Sequence, residues 1–154
     1  MTRFAPHAFA ALVVLSLAAC EKKGPENQPE QVVQNFVDRM KRVHGNPKSA
    51  RAAYDLLWSE AQRNLAERAK RASALSGRKV APEEMIAPSH FSLRFEPKQY
   101  TANVQGDWAV VTMTGEVPST QRSTVKCVLE DGSWRVVVEL PPLPPIAQRA
   151  DAGS

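Results

Sequence analysis

The chain of 154 residues has little of the material from which metal centres, nucleic-acid sites and membrane spans are built. Its three histidines, His7, His44 and His90, are scattered and form no cluster of the spacing that zinc sites use. No block of lysine and arginine resembles a nucleic-acid footprint. The apolar run at 10–19 is too short to remain as a span, because a transmembrane helix needs about 20 residues. The sequence therefore predicts no metal, no cofactor and no nucleic-acid partner.

The first 20 residues have the pattern of an export signal. Arg3 precedes the apolar run, which closes with Leu17-Ala18-Ala19-Cys20 before a polar stretch at 21–29. This pattern resembles a bacterial lipoprotein signal peptide, with Leu-Ala-Ala-Cys as its lipobox. The resemblance implies that residues 1–19 are a removed signal peptide and that Cys20 is the lipid attachment residue. The alternative is an ordinary signal peptide with a coincidental cysteine.

A lipid-attached Cys20 has consequences for location and for cysteine chemistry. Two or more acyl chains give stable anchoring, so the resemblance implies a cell-envelope protein that is held at a membrane. Glu21 follows the lipobox and resembles an outer-membrane sorting signal. We therefore expect the periplasmic face of the outer membrane, with the inner membrane as the alternative. Acylation would leave Cys127 as the only thiol, which excludes an internal disulfide.

Composition divides the mature chain into three parts. Residues 20–29 contain charges, glycine and two prolines, and are predicted to be a lipidated tether that reaches at most about 30 Å. Residues 30–140 suffice for one domain with one core. Residues 141–154 are proline-rich at their start and are predicted to be a disordered tail. The formal charge falls from +4 to +3 on signal removal, because Arg3 is the only charge lost.

The first half of the domain has helical periodicity. Apolar residues recur at steps of three and four from Pro29 until Gly45-Asn46-Pro47 stops the pattern, which predicts an amphipathic helix. A short helix over 48–57 and a longer helix over 59–75 follow. Residues 82–86 predict one further helical turn.

The longest predicted helix carries signals at both ends and a basic face. Ser59 and Gln62 have the spacing of a capping box, and Gly77 suits the position after the last turn. The outer face is predicted to be solvated, with contact to anionic headgroups or an acidic partner as the alternative. Its basic residues are Arg63, Arg68, Lys70 and Arg71.

The second half of the domain alternates with a period of two residues, which is typical of strands. The predicted strands are 91–95, 100–105, 108–117, 120–129 and 134–140. Gly106-Asp107 and Asp131-Gly132 fit tight hairpin turns. The connections are too short for crossover helices, so the sheet is predicted to be antiparallel. Helices followed by a meander predict an α+β domain whose N-terminal helices pack on one face of a curved sheet.

Three features resemble the nuclear transport factor 2-like superfamily. They are the long first helix, the turn Tyr54-Asp55-Leu56-Leu57-Trp58-Ser59 into a second helix, and the final hairpin Asp131-Gly132-Ser133-Trp134-Arg135-Val136. The resemblance covers roughly residues 29–140. It implies a cone-shaped fold that is also found in ketosteroid isomerase, scytalone dehydratase and limonene epoxide hydrolase. The resemblance is evidence about the fold and not about the function.

Candidate site residues are few. Enzymes of that superfamily use acids, histidine and tyrosine that project into the cone, but no such pair can be matched here, so no catalytic residue is predicted. Tyr54, Trp58, His90 and Trp108 are the candidate lining of a pocket, with core packing as the alternative. Cys127 shares a strand face with apolar residues and is predicted to be a buried core residue.

We therefore expect a non-catalytic binding module for a protein partner or a small apolar ligand. The alternative is an enzyme of the isomerase or dehydratase type, which requires an open cavity where a desolvated carboxylate or histidine faces a second polar group. A third hypothesis is a homodimer that forms through the sheet.

Overall fold

A computed structural model describes residues 25–143 and residue 145. The predicted signal peptide, Cys20 and most of the predicted C-terminal tail lie outside the described residues. Within the described part, three α-helices precede one four-stranded antiparallel sheet. The predicted α+β class is therefore confirmed.

The elements follow one another in the predicted order. The helices are α1 (Pro29–Met40), α2 (Pro47–Tyr54) and α3 (Ser59–Ser76), with short 3₁₀ turns at Pro82–Met85 and Pro88–His90. The strands are β1 (Gln99–Gln105), β2 (Trp108–Thr114), β3 (Arg122–Glu130) and β4 (Ser133–Val136). Each strand pairs with the next in the chain, so the predicted antiparallel meander is confirmed.

The first two helices are separated by a cap that the sequence analysis did not identify. The Asn46 side chain accepts a hydrogen bond from the Ser49 N–H at 3.0 Å, and Pro47 occupies the first helical position. A new helix therefore starts here, and α1 has already ended at Met40. α2 also ends at Tyr54, three residues before its predicted end.

The start of α3 differs from the predicted capping box. Trp58 is the N-cap residue and provides no side-chain cap. The Glu130 carboxylate at the end of β3 instead accepts hydrogen bonds from the Ser59 N–H and hydroxyl, each at 2.9 Å. Gln62 donates to the Tyr54 carbonyl and does not close a box. The prediction was wrong because a carboxylate distant in sequence took the cap position. At the other end, Gly77 adopts φ +71° as predicted.

Residues 91–95 do not form the predicted strand. Their side chains alternate between half-buried and exposed, and the Phe91 ring packs edge-on against Phe36 of α1 at 5.2 Å. The side chains do alternate between half-buried and exposed, but they do so because one side of this irregular segment packs against α1. A strand also requires a hydrogen-bonded neighbour, and β1 pairs only with β2.

Both predicted hairpin turns are present at one end of the sheet, which we call the hairpin end. Asp131 and Gly132 have φ values of +50° and +77°, as a tight turn with two left-handed residues requires. Gly106 has φ +61°. The β1–β2 and β3–β4 turns lie together here, since the Leu129 N–H donates to the Asp107 carbonyl at 2.8 Å.

The last strand is shorter than predicted, because β4 ends at Val136. The chain then turns onto α3. The Trp58 indole N–H donates to the Val138 carbonyl at 3.2 Å, and the Arg68 guanidinium donates to the Pro141 carbonyl at 2.6 Å. The side chains of α3 thus remove residues 138–141 from the sheet.

The core lies between α1 and the inner face of the sheet. Along β2, Ala109, Val111 and Met113 are buried, whereas Trp108 and Val110 face outward and are exposed. The buried residues of α1 are Pro29, Val32, Val33, Phe36, Val37 and Met40. Cys127 and Trp134 on the neighbouring strands are also buried, which confirms the predicted core position of Cys127.

The outer edge of β4 is covered by two other segments of the chain. Glu26 donates its N–H to the Gly132 carbonyl at 2.9 Å, and the Asn27 side chain accepts from the Trp134 N–H at 2.7 Å. Further along, the Val136 N–H donates to the Leu56 carbonyl. The predicted tether is therefore too long, because its last residues are fixed to the sheet. Of the predicted tether 20–29, residues 20–25 precede the first of these bonds.

Candidate functional site

An apolar groove of about 520 Å³ lies between α1 and the irregular segment at 91–96. Its walls carry Val37, Met40, Phe91, Leu93 and Phe95, and its rim carries Lys41, His44, Arg94 and Glu96. Lys41 donates to Glu96 at 2.6 Å and thereby joins the two walls. This hydrogen bond also lowers the pKa of Glu96. The volume falls in the range of small-molecule sites.

A second groove, of about 510 Å³, lies between the α1–α2 connection and the first 3₁₀ turn. One wall includes Glu83, whose Oε2 atom is buried and has no hydrogen-bond partner among the described residues. The Arg51 guanidinium lies 3.7 Å from that oxygen. Glu83 is not among the predicted site residues, because the pattern at 82–86 indicates a helical turn and does not reveal which side chain is buried.

Tyr54 is a neighbour of Glu83 but lines neither of these two grooves. The Arg51 guanidinium sits 5.4 Å from the centre of its ring, and its hydroxyl lies 3.5 Å from the Gln62 carbonyl. Burial raises the pKa of Tyr54, and the neighbouring Glu83 acts in the same direction. The tyrosine therefore stays protonated and joins α2 to α3.

Trp58 and His90 line two smaller grooves of about 280 and 270 Å³, and Val138 and Glu139 line both. His90 Nδ1 accepts a hydrogen bond from the Ala87 N–H at 3.2 Å. Burial, and then the positive charge of Arg68, lower the pKa of His90. The imidazole is thus neutral at pH 7 and is held by its own turn.

Trp108 lines none of the four grooves. It lies on the outer face of β2 at the hairpin end and is 48% exposed. Tyr54 lines none of the four grooves. Trp58 and His90 line two different grooves, which have only Val138 and Glu139 in common. The structure therefore does not bring the four candidate residues together into one pocket.

Cys127 is fully buried in the sheet, opposite Ala109 of β2. Burial, and then the charge of Glu30, raise the pKa of its thiol to about 12. A thiolate is the reactive form of cysteine. The thiol is therefore inert at physiological pH and serves packing.

The basic run on α3 is only partly free. Arg68 donates to Asn64 and to the Pro141 carbonyl, and Arg71 forms an ion pair with Glu67 at 3.1 Å. Arg63 and Lys70 are exposed. Two of the four cations thus hold the protein's own chain, which favours the solvated-face interpretation over the headgroup-binding one.

Among residues 25–143 and 145, no three histidine, cysteine, aspartate or glutamate side chains come together in a way that could hold a metal ion. None of the described helices combines the length and apolar character needed to cross a membrane. Comparisons with protein-family models, with curated proteins and with solved structures find no match for this chain.

Proposed function

We propose that this chain is a lipid-anchored protein of the bacterial cell envelope whose folded part is a non-catalytic binding module. The observation that carries the proposal is the sequence Leu17-Ala18-Ala19-Cys20 between a short apolar run and a polar stretch. Residues 26 and 27 are bonded to the β3–β4 hairpin, so a polar connection of a few residues separates Cys20 from the domain, which supports the proposal.

The anchor is tested by following Cys20. Cells that express the full chain with a C-terminal tag are grown with radiolabelled palmitate and then fractionated. We expect label on the wild type and none on Cys20→Ala, which accumulates as the unprocessed precursor because lipidation precedes cleavage in lipoproteins. Cys127→Ala is the matched control and should retain the label. An unlabelled wild type, or an equally labelled Cys20→Ala, would falsify the lipoprotein assignment.

We propose the nuclear transport factor 2-like cone as the fold of the domain. Supporting it are the order of elements, with three helices before an antiparallel meander, and the packing of α1 across the inner face of the sheet. An experimental structure tests this directly. A flat sheet that leaves α1 on one side, with no enclosing curvature, would contradict the cone.

The groove between α1 and segment 91–96 is the best-supported ligand site, and a small apolar molecule is the class of ligand that suits it. Its walls are apolar, and the polar groups on its rim are mostly exposed. Buried apolar walls with few polar groups are the usual composition of such sites. The state of Cys127, buried and protonated, supports a role for the interior in packing rather than in covalent chemistry.

Binding is tested with 1-anilinonaphthalene-8-sulfonate as an apolar fluorescent probe. We expect saturable enhancement of its fluorescence by the folded wild type and a reduction by several-fold with Leu93→Asp, which places a charge on the groove wall. Val117→Asp is the matched control, since Val117 is an exposed valine outside the groove. Equal enhancement by both variants would reject the groove as the site.

A further inference from the structure

Large apolar side chains are exposed together at the hairpin end of the sheet. Val104, Trp108 and Val110 are 52%, 48% and 42% exposed, and we call these three residues the tip. Gln105 pairs with Trp108 and Val104 with Ala109, so Val104 and Trp108 lie next to the β1–β2 turn, and Val110 lies two residues beyond Trp108 along β2. Successive strand residues point to opposite faces, which places Val104 on one face and Trp108 on the other. Both sides of the turn are therefore apolar.

The N-terminal segment enters the domain at this same end. Glu26 is bonded to Gly132 in the β3–β4 turn, and Asn27 is bonded to Trp134. Two strand spacings separate β4 from β2, and one more separates Asn27 from β4, so the tip lies roughly 15 Å across the sheet from Asn27. The N-terminal segment thus joins the sheet at the same end as the tip.

The length of chain before this point limits where Cys20 can be. Five residue steps join Cys20 to Pro25, and these span at most about 18 Å when fully extended. Other exposed apolar residues are farther away. Val117 lies beyond the opposite end of β2, which is roughly 20 Å long. Leu75 lies about 24 Å along α3 from Ser59. Of these exposed side chains, those of the tip are closest to the chain's entry.

The chemistry of the tip suits the boundary of a lipid bilayer. Tryptophan is enriched at membrane interfaces, because its ring is apolar and its N–H remains hydrated. The charges around the tip are of both signs. Asp107 and Asp131 occupy the two turns and are exposed, and the exposed Lys126 pairs with Val110 of the tip. Lys22 and Lys23 follow Cys20 in the sequence. A surface with charges of both signs suits zwitterionic headgroups, which carry both signs themselves.

We propose that the tip rests on zwitterionic phospholipid headgroups beside the lipid anchor and so fixes the orientation of the domain on the membrane. This inference rests on the proposed acylation of Cys20. It adds that the hairpin end faces the bilayer. The groove between α1 and segment 91–96 and the far end of the sheet then remain open to the periplasm. A lipid anchor alone specifies no such orientation.

Tryptophan fluorescence tests the contact. The purified lipidated protein is reconstituted into phosphatidylcholine vesicles whose acyl chains carry bromine, which quenches tryptophan at short range. The chain has three tryptophans, and of these Trp134 is buried and Trp58 is bonded to Val138. We expect quenching and a blue shift of the wild-type emission, and loss of most of both in Trp108→Phe. Full quenching that persists in Trp108→Phe overturns the proposal.

A relocated tryptophan provides the matched control. In the Trp108→Phe background, Val117→Trp places an exposed indole beyond the far end of β2, and we expect no quenching there. Equal quenching at both positions would show that the domain has no fixed orientation and would overturn the proposal. Replacement of half the lipid by brominated phosphatidylglycerol should leave the quenching of Trp108 unchanged, because the charges beside the tip are of both signs. Stronger quenching would overturn the zwitterionic assignment.

The outcomes separate this inference from the proposed function. Vesicle sedimentation and palmitate labelling report on the anchor, whereas quenching reports on the tip. Protein that sediments with vesicles but shows no quenching of Trp108 keeps the anchor and overturns the orientation. Protein that carries no lipid overturns both.

Discussion

The two ends of the sheet are held in different ways. At the hairpin end, hydrogen bonds join segments that are distant in sequence, such as Asn27 with Trp134 and Ser59 with Glu130. Beyond the opposite end of β2 lies the β2–β3 loop at 115–121, which we call the far loop. There the Val117 N–H donates to the side-chain oxygen of Gln121, only four residues away. The hairpin end therefore depends on the complete fold, whereas the far loop is closed by local contacts.

The exposed apolar side chains differ in the same way. The three exposed apolar side chains of the tip lie on one hairpin, formed by β1 and β2. Leu75 and Val117 belong to separate elements, α3 and the β2–β3 loop. A single exposed apolar residue is ordinary, but a group of them marks a contact surface. The comparison indicates that the end with long-range bonds is also the end that meets another surface.

The largest expected effect is on thiol reactivity. In a mature chain with Cys20→Ser, Cys127 has a pKa of about 12 against an ordinary value of 9.0, so its thiolate fraction at pH 8 falls by roughly 10³-fold. We expect labelling by 5,5′-dithiobis(2-nitrobenzoate) to be very slow. A cysteine introduced at the far loop by Val117→Cys should react at the rate of a free thiol. Fast labelling of native Cys127 would show that this part of the sheet opens.

The same raised pKa predicts a loss of stability at alkaline pH. Because the folded state favours the neutral thiol, this contribution is complete below about pH 9 and is lost as the pH rises towards 12. Tyr100, whose pKa burial also raises to about 12, acts in the same direction. Urea midpoints measured from pH 8 to 11 should fall, and Cys127→Ala should fall less steeply. An identical slope in that variant contradicts the assignment.

Removal of a large buried side chain from the hairpin end should be the most damaging substitution for stability. Trp134 is 3% exposed, so Trp134→Ala should lower the free energy of unfolding by about 3–5 kcal/mol. Leu75→Ala removes an apolar side chain that is 91% exposed and should change it by less than about 0.5 kcal/mol. Urea denaturation followed by circular dichroism measures both. Similar losses would contradict the described burial.

The bond between the N-terminal segment and β4 should contribute less. Asn27→Ala leaves the Trp134 N–H without its acceptor, at a cost of about 1–3 kcal/mol. Gln121→Ala removes a local, exposed acceptor and should cost less than about 1 kcal/mol. Limited proteolysis should also cut Asn27→Ala near residue 26 faster than the wild type. Unchanged cleavage would show that the segment is not held by this bond.

The smallest effect is expected at the start of α3. Glu130→Ala removes the acceptor of the Ser59 N–H and hydroxyl and should cost about 0.5–2 kcal/mol, as the loss of a helix cap does. Glu116→Ala, an exposed acid in the far loop, is the matched control and should stay within about 0.5 kcal/mol of the wild type. Equal stability of the two variants would remove Glu130 from its capping role.

The elements that were correctly predicted are those with strong local signals. The helix over 59–75 differs by one residue from α3, and Gly77 ends it as predicted. Asp131-Gly132 turns the chain because both residues tolerate a positive φ. Periodicity and turn chemistry are properties of neighbouring residues, so they can be read without knowledge of the rest of the chain.

The wrong predictions of secondary structure share one cause, which is competition from residues distant in sequence. Glu130 replaced the local capping box at Ser59, and α1 drew segment 91–95 away from a strand pairing. The four candidate pocket residues lie apart for a different reason. Tyr54, Trp58, His90 and Trp108 were chosen as large or polar groups, and alternation along β2 alone does not reveal which face the helices cover.

The sequence by itself determined the α+β class, the antiparallel order of the strands and the burial of Cys127, because these follow from periodicity, short connections and an apolar strand face. It also supplied the pattern Leu17-Ala18-Ala19-Cys20 on which the proposed anchor rests. The tertiary structure alone decided that residues 26 and 27 belong to the sheet and that the tip lies at the same end. Those facts depend on hydrogen bonds across more than 100 residues, and no local pattern encodes them.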